Sequence, residues 1–112
     1  MLATSWLAAA TPEEVIAQAI AGRQMLQITY ANGEAGPRLI EPHLLGVTTT
    51  GQPALQAWFV QGASKSGSGP GWRNYLLNRI LSIEATNQTF NGPRPGFNPT
   101  GGKVFQSVKV KL

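Results

Sequence analysis

The first periodic run of apolar residues predicts one short amphipathic helix at about residues 12–21. Thr11 and Glu14 have the spacing of a capping box, and Pro12 takes the first helical position, where no backbone N–H is needed. Gly22 then indicates the end of the helix. The apolar stripe consists of Val15, Ile16, Ala19 and Ile20.

After the helix the apolar period changes from 3.6 to 2, which predicts β-strands. The predicted strands are Leu26–Tyr30, Arg38–Val47, Ala54–Val60, one bent strand or two short ones meeting near Asn78–Leu81 within Trp72–Thr86, and Val104–Lys111. Pro42 cannot donate to a strand ladder and therefore indicates a bend, bulge or edge. Glycine and proline predict long loops at residues 62–71 and 91–102.

These elements predict a mainly β fold with one N-terminal helix. The spacing lacks the helical crossovers of a parallel sheet, which favours a small, strongly bent barrel or a sandwich. About five strands with glycine and proline at the corners suit a small closed barrel, in which bends replace long exposed edges.

The length of 112 residues fits a single domain over residues 11–112, preceded by an N-terminal arm at residues 1–10. The arm is apolar but lacks the positive charge that begins a signal peptide. Uninterrupted apolar runs are far shorter than the roughly 18 residues that span a bilayer. We therefore expect a soluble, cytoplasmic protein with no membrane partner.

Charge and composition exclude several kinds of chemistry. Nine Lys and Arg residues against five acidic residues, all of them Glu, leave a net charge of +4. Without Cys or Asp and with a single His, the chain cannot form thiolate zinc sites, cysteine nucleophiles or a Ser-His-Asp triad. The glutamates are scattered, and the glycine-rich loops lack Lys and Ser/Thr in phosphate-loop register. We expect no metal, no cofactor and no enzymatic activity.

His43 is the one side chain whose ordinary pKa lies near neutrality. Glu41 stands two positions earlier on the same predicted strand, so both side chains project to one face. The pair is compatible with general acid/base work, but a hydrogen-bonded structural histidine beside the bend at Pro42 is the more common arrangement.

The stretch Trp72–Ile80 is the strongest candidate for ligand binding. If it is extended, Arg73, Tyr75 and Arg79 share one face with Leu77. Guanidinium groups bind phosphates or carboxylates in a bidentate manner and aromatic faces stack on bases, so the pattern suits an anionic ligand. The alternative is that Tyr75 and Leu77 belong to the core while the arginines lie at its rim.

At these residues the chain resembles the WYL domain, a bacterial regulatory module. Four segments carry the resemblance in order across about Glu14–Ile83: Ala19–Tyr30, Arg38-Leu-Ile-Glu-Pro-His43, Leu55-Gln-Ala-Trp-Phe-Val60 and Arg73-Asn-Tyr-Leu-Leu-Asn-Arg-Ile80. Two of the four segments depart from the family pattern. Trp58-Phe59-Val60 replaces the usual Trp-Tyr-Leu, and Asn78 replaces an acidic residue before Arg79.

The resemblance implies an Sm-like, SH3-type barrel that senses a ligand, with single-stranded DNA or RNA or a nucleotide-like molecule held by basic barrel residues. It points to Arg38, Arg73 and Arg79 as contacts, with Tyr30, Trp58 and Tyr75 as lining. With Trp72 and His43 from the residue patterns, the candidate ligand-binding set is Arg38, Arg73, Arg79, Tyr75, Trp58, Trp72, Tyr30 and His43.

Partners are predicted from the same features. Ten residues before the first helix are too few for a helix-turn-helix, so we expect a standalone module that regulates transcription through a partner chain with a DNA-binding domain. The alternative is a protein-protein or homo-oligomerisation module that uses the edge of Val104–Leu112 and has no nucleic-acid ligand.

Overall fold

A computed structural model describes residues 10–32, 36–63 and 69–112. Its elements are α1 (Pro12–Gly22), β1 (Gln24–Tyr30), β2 (Arg38–Thr48), β3 (Pro53–Gly62), β4 (Gly71–Leu76), a 3₁₀ turn (Leu77–Arg79), β5 (Ile80–Thr89) and β6 (Phe105–Lys111). Residues 1–9 of the predicted N-terminal arm and residues 64–68 of the predicted 62–71 loop lie outside the described residues.

Helix α1 begins at the predicted capping box. The Glu14 backbone N–H donates to Thr11 Oγ1 at 3.1 Å, and the Thr11 N–H donates to Glu14 Oε1 at 2.9 Å. The helix ends at Gly22, after which Arg23 adopts the left-handed conformation with φ of 51°. The helix prediction is therefore confirmed, and its apolar stripe packs onto the sheet.

The six strands form one antiparallel sheet in the order β4-β3-β2-β1-β5, with β6 paired to β2. Strand β2 organises this arrangement because its first residues pair with β1 while residues 44–48 pair with β6. The change of partner occurs at a bulge: Pro42 pairs with Ala57 and Leu44 with Gln56, so His43 is the extra residue. The irregularity predicted at Pro42 is confirmed.

The mainly β fold with one helix is confirmed, and the sheet has six strands because the Trp72–Thr86 stretch forms two strands rather than one bent strand; a closed barrel is not confirmed. Strands β4 and β5 lie at opposite ends of the sheet order, and none of the described strand pairs joins them. The 3₁₀ turn at Leu77–Arg79 redirects the chain, so that β5 pairs with β1 while β4 remains on β3.

The main core lies between α1 and one face of the sheet. It contains Ile16, Ala19, Ile20, Leu26, Ile28, Ile40, Leu45, Leu55, Ala57, Phe59 and Tyr75. The opposite face, called the outer face below, carries a smaller core of Leu44, Ala54 and Phe105. Gly46 allows β6 to approach β2 closely, since a Cβ at this position would overlap the Ser107 carbonyl oxygen. The two faces of the sheet separate the candidate site residues described next.

Candidate ligand-binding surfaces

Two predicted arginines and two tyrosines lie at the end of the sheet where β1 finishes and β2 begins. The Arg38 guanidinium carbon is 5.5 Å from the ring centre of Tyr30 and 6.0 Å from that of Tyr75. The two rings meet edge to face with centres 5.0 Å apart. Arg73 lies on the same side of β4 as Tyr75, with its guanidinium carbon 5.1 Å from the Phe59 ring centre. We call Arg38, Arg73, Tyr30 and Tyr75 the basic end.

Two polar atoms of the basic end are buried without a partner. Among the described residues, neither Arg38 Nε nor the Tyr75 hydroxyl has a hydrogen bond. The rest of Arg38 is anchored, because its Nη2 donates to Asn32 Oδ1 at 2.6 Å. Burial raises the pKa of Tyr75; the Arg38 side chain, which lies close to the hydroxyl without meeting the geometry of a hydrogen bond, opposes the rise most, and the Arg73 charge adds to this opposition. Buried polar groups are nearly always satisfied in native proteins, so this end has unused capacity for hydrogen bonding.

The structure also shows how the Trp72–Ile80 stretch divides. It is extended only to Leu76, so the condition for a shared face of Arg73, Tyr75, Leu77 and Arg79 holds for Arg73 and Tyr75 alone, and the alternative of two short strands is the one found. Tyr75 is 2% exposed and belongs to the core, as the alternative interpretation expected. Arg79 lies in the exposed 3₁₀ turn, and its carbonyl accepts from the Ala31 N–H at the end of β1.

The remaining predicted residues lie on the outer face, where an arginine from the 90–104 connection joins them. Arg94 donates to both carboxylate oxygens of Glu41, from Nε at 2.8 Å and from Nη2 at 2.9 Å. Glu41 is 1% exposed, whereas the Arg94 side chain is 43% exposed. The guanidinium carbon of Arg94 also lies 5.2 Å from the ring centre of Trp58.

His43 is fully buried beside this ion pair, and both of its ring nitrogens are engaged. Nδ1 is 2.8 Å from the Glu41 carbonyl oxygen, and Nε2 accepts from the Arg94 backbone N–H at 3.0 Å. A backbone N–H can only donate, so the ring is neutral with its proton on Nδ1. Burial lowers the pKa of His43 and favours the same state. Glu41 and His43 do share a face, and their geometry supports the structural interpretation over general acid/base work.

An aromatic cluster surrounds His43. Its members are Trp58, Trp72, Phe90 and Phe97, with ring centres 4.7 to 6.1 Å apart in the contacting pairs. The Trp72 indole N–H donates to the Pro95 carbonyl at 3.1 Å. A cavity of about 530 Å³ opens beside the cluster, lined by Met25, Glu41 and residues 89–95.

The eight predicted residues therefore belong to two surfaces rather than one. Tyr30, Arg38, Arg73 and Tyr75 form the basic end, with the Arg79 backbone beside it, while His43, Trp58 and Trp72 lie on the outer face. The reason is alternation: Trp58 pairs with Trp72 across β3 and β4, and both point away from Tyr75. Sequence reasoning missed Arg94. Its position between Pro93 and Pro95 could have indicated it as a residue held in a fixed conformation.

Within the described ranges, no group of three His, Cys, Asp or Glu side chains is placed to hold a metal ion. No helix in the same ranges is both long and apolar enough to cross a membrane.

Comparison with known proteins provides one match. No curated protein and no solved structure matches the chain. The family model of the WYL domain matches residues 13–85, well over half of the chain, and includes α1, β1 to β4 and the first half of β5. WYL domains are generally ligand-sensing regulatory modules and are not typically enzymes. This chain, with its helix followed by an antiparallel sheet, belongs to the WYL domain family.

Proposed function

We propose that this chain is a non-enzymatic sensing module whose basic end binds single-stranded nucleic acid or a nucleotide-like anion. The observation that supports the proposal most directly is the pair of buried, unpartnered polar atoms, Arg38 Nε and the Tyr75 hydroxyl. Leaving such a group unsatisfied costs about 1–3 kcal/mol, so a ligand that bonds to it recovers free energy.

The arginines would supply the charge that an anion needs. Arg38 is 4% exposed and already oriented by Asn32, so it would meet a ligand that enters the end of the sheet. Arg73 is half-buried, with Nη1 and Nη2 donating to the Trp72 and Gly69 carbonyls, so it would contribute mainly its charge, whereas the exposed Arg79 would contact phosphate oxygens at the rim. Tyr75 is too deeply buried to stack on a base and would contribute its hydroxyl, whereas Tyr30 is partly exposed.

Trp58 and Trp72 would not contact the same ligand, because they lie on the outer face. The proposed site is therefore smaller than the sequence alone indicates. A short segment of one or two nucleotides at the basic end fits this arrangement better than a long strand wrapped across the sheet.

Regulation of transcription would require a DNA-binding domain in addition to the described residues. These contain one α-helix, α1, and a helix-turn-helix needs two packed helices. We propose that a partner chain in the cytoplasm carries the DNA-binding domain and that ligand binding at the basic end alters the partner's activity.

Fluorescence anisotropy tests the proposal with labelled single-stranded DNA and RNA oligomers at low and moderate salt, and with double-stranded DNA for comparison. Binding to single strands should weaken steeply as salt rises, because phosphate contacts release counterions. The Arg73→Ala/Arg79→Ala variant should lose about ten-fold or more in affinity, since Arg79 would contact phosphate and Arg73 would contribute its charge.

The matched control is the Lys103→Ala/Lys111→Ala variant, which removes the same charge from exposed positions outside the basic end. It should bind almost as the unchanged chain does. Equal losses in both variants would show that net charge alone attracts the oligomer. Absence of binding at tens of micromolar protein would contradict the nucleic-acid form of the proposal and direct the search to small anions.

A second candidate function is self-association through a strand edge. Among the described strands, β6 pairs only with β2, which leaves its other edge available for a strand from a second copy. Exposed Lys109 and Lys111 oppose such pairing, because charged side chains on an edge discourage it. Light scattering at high micromolar concentration distinguishes the two: a monomer excludes this candidate.

A further inference from the structure

The connection between β5 and β6, residues 90–104, rests on the outer face chiefly through three residues. We call this segment the proline-rich loop. Its Arg94 side chain is held by Glu41 and lies over Trp58. Its Pro95 carbonyl accepts from the Trp72 indole N–H, and its Phe97 ring stacks on Trp72 with centres 6.1 Å apart.

These contacts all come from one four-residue turn. The Phe97 N–H donates to the Arg94 carbonyl at 3.1 Å, and Gly96 has φ of 90°. Proline followed by glycine with positive φ is typical of a type II turn, in which the first and last residues lie close together. The sequence Arg94-Pro95-Gly96-Phe97 therefore presents a guanidinium and an aromatic ring side by side to the outer face.

The turn lies at the protein surface and not in the core. Pro93, Arg94, Pro95 and Gly96 are all exposed, and the 530 Å³ cavity lies against residues 89–95. The receiving groups, by contrast, are buried: Glu41 is 1% exposed and His43 is fully buried. Glu41 and His43 lie on β2, which is paired with β1, β3 and β6, whereas the turn belongs to a connection between strands that covers these two side chains.

The side chains of the outer face that contact the turn are complementary to one kind of peptide. Both Glu41 oxygens accept from one guanidinium, a bidentate geometry that an ammonium group cannot reproduce. Trp58 offers a ring face to the same cation, and Trp72 offers an indole N–H to a carbonyl. His43 Nε2 accepts a backbone N–H from the arginine itself. A peptide turn with arginine first and an aromatic residue fourth satisfies all four groups.

We propose that the outer face is a peptide-binding site for an Arg-Pro-Gly-aromatic turn, that the chain's own proline-rich loop occupies it in cis, and that a partner protein carrying the same kind of turn displaces the loop. Recognition of proline-containing peptide segments by aromatic-lined grooves is an established mode of protein association. This site is distinct from the basic end and does not depend on an anionic ligand.

The test uses the peptide Asn-Gly-Pro-Arg-Pro-Gly-Phe-Asn, which copies residues 91–98, and titrates it into the full chain while tryptophan fluorescence is followed. Arg94→Ala empties the guanidinium position, so the peptide should bind this variant at least ten-fold more tightly than the unchanged chain, where the tethered loop competes. Peptides with Ala or Lys in place of Arg should bind at least ten-fold more weakly.

Two further variants keep the test decisive if Arg94→Ala does not fold. Phe97→Ala retains the ion pair with Glu41 but weakens the loop, and it should also bind the peptide more tightly than the unchanged chain does. The Arg94→Ala/Glu41→Gln variant leaves no buried unpaired carboxylate and should fold, but it should lose the preference for the arginine peptide. Arg79→Ala, which lies outside the outer face, should behave as the unchanged chain.

A folded Arg94→Ala or Phe97→Ala variant that binds the peptide no more tightly than the unchanged chain would overturn the proposal. Equal binding of the Arg, Lys and Ala peptides would do the same. A mass in light scattering that doubles with concentration and returns to that of a monomer in Arg94→Ala would assign the face to a second copy of the chain, against the partner proposed here.

Discussion

The outer face and the basic end both bring arginine to aromatic rings, yet they treat their buried polar atoms differently. On the outer face, both carboxylate oxygens of Glu41 and both ring nitrogens of His43 have hydrogen-bond partners. At the basic end, Arg38 Nε and the Tyr75 hydroxyl have none among the described residues. The first arrangement satisfies its buried polar groups, whereas the second leaves two of them unsatisfied, which is the basis of the ligand site proposed above.

Among the predictions that test this difference, the largest change in the free energy of unfolding is expected on the outer face. Arg94→Ala leaves the buried Glu41 carboxylate without its partner, and losing one member of a buried pair costs about 3–5 kcal/mol. Because the Arg94 side chain is 43% exposed, water replaces part of its contribution. We expect the free energy of unfolding in urea to fall by about 2–3 kcal/mol.

The corresponding change at the basic end is Arg38→Met. It removes a buried Nε without a partner together with the Asn32 hydrogen bond, while the methionine chain fills similar space. These changes oppose each other, so we expect the free energy of unfolding to change by less than about 1 kcal/mol. Should Arg38→Met cost as much as Arg94→Ala in the same urea experiment, the contrast between the two surfaces would be wrong.

The second largest effect on stability is expected from acid, which protonates His43 on the outer face. Burial holds the pKa of His43 below its ordinary value of 6.5, whereas the unfolded chain titrates near that value. Below 6.5 the unfolded state therefore binds more protons, and the stability from neutral His43 is lost as the pH falls from 6.5 through the folded pKa. The groups facing the ring are Glu41 and Arg94 with the aromatic cluster.

Urea unfolding at pH 7.5 and at successively lower pH measures this dependence. Protonation replaces the Nε2 acceptor by a donor facing the Arg94 N–H, so at least one hydrogen bond of about 1 kcal/mol is lost. His43→Gln should remove most of the slope between pH 7 and pH 5. The same slope in His43→Gln would assign it to the glutamates instead.

The elements of the fold follow from local sequence, which is why they were predictable. Thr11 and Glu14 fix the start of α1 through contacts three residues apart, and the period-2 runs identify the strands. Pro42 marks the bulge because the missing N–H is a property of the residue itself. Membership of the WYL family was predictable because its four sequence segments occur in order along the chain, and the family match over residues 13–85 confirms it.

The arrangement of the candidate surfaces depends on contacts between distant residues and was not predictable. Arg94 reaches Glu41 across 53 positions of sequence, and no local pattern indicates that partner. The sequence allowed either one bent strand or two short strands meeting near Asn78–Leu81, and the 3₁₀ turn at Leu77–Arg79 selects the second; the new direction of the chain after the turn was not readable from the sequence. This turn redirects Arg79 and, with it, the expected line of guanidinium groups.

The smallest expected change in stability comes from removing one hydroxyl from either tyrosine of the basic end. The two variants compare a hydroxyl that has a hydrogen-bond partner with one that has none. Tyr30 Oη accepts from the Leu76 N–H at 2.9 Å, so Tyr30→Phe should cost about 1 kcal/mol in urea unfolding. The Tyr75 hydroxyl has no such partner in the described structure, so Tyr75→Phe should leave stability within about 0.5 kcal/mol. Both rings remain in place, which makes the two variants a matched pair.

Ligand binding should rank the same variants in the opposite order. If the Tyr75 hydroxyl bonds to the anion, Tyr75→Phe loses about three- to ten-fold in affinity by anisotropy, the value of one hydrogen bond. Tyr30→Phe should lose less, because its hydroxyl is already committed to Leu76. A Tyr75→Phe variant that is as destabilised as Tyr30→Phe and binds normally would mean that solvent satisfies this hydroxyl. The basic end would then be a second stabilising cluster, like the outer face.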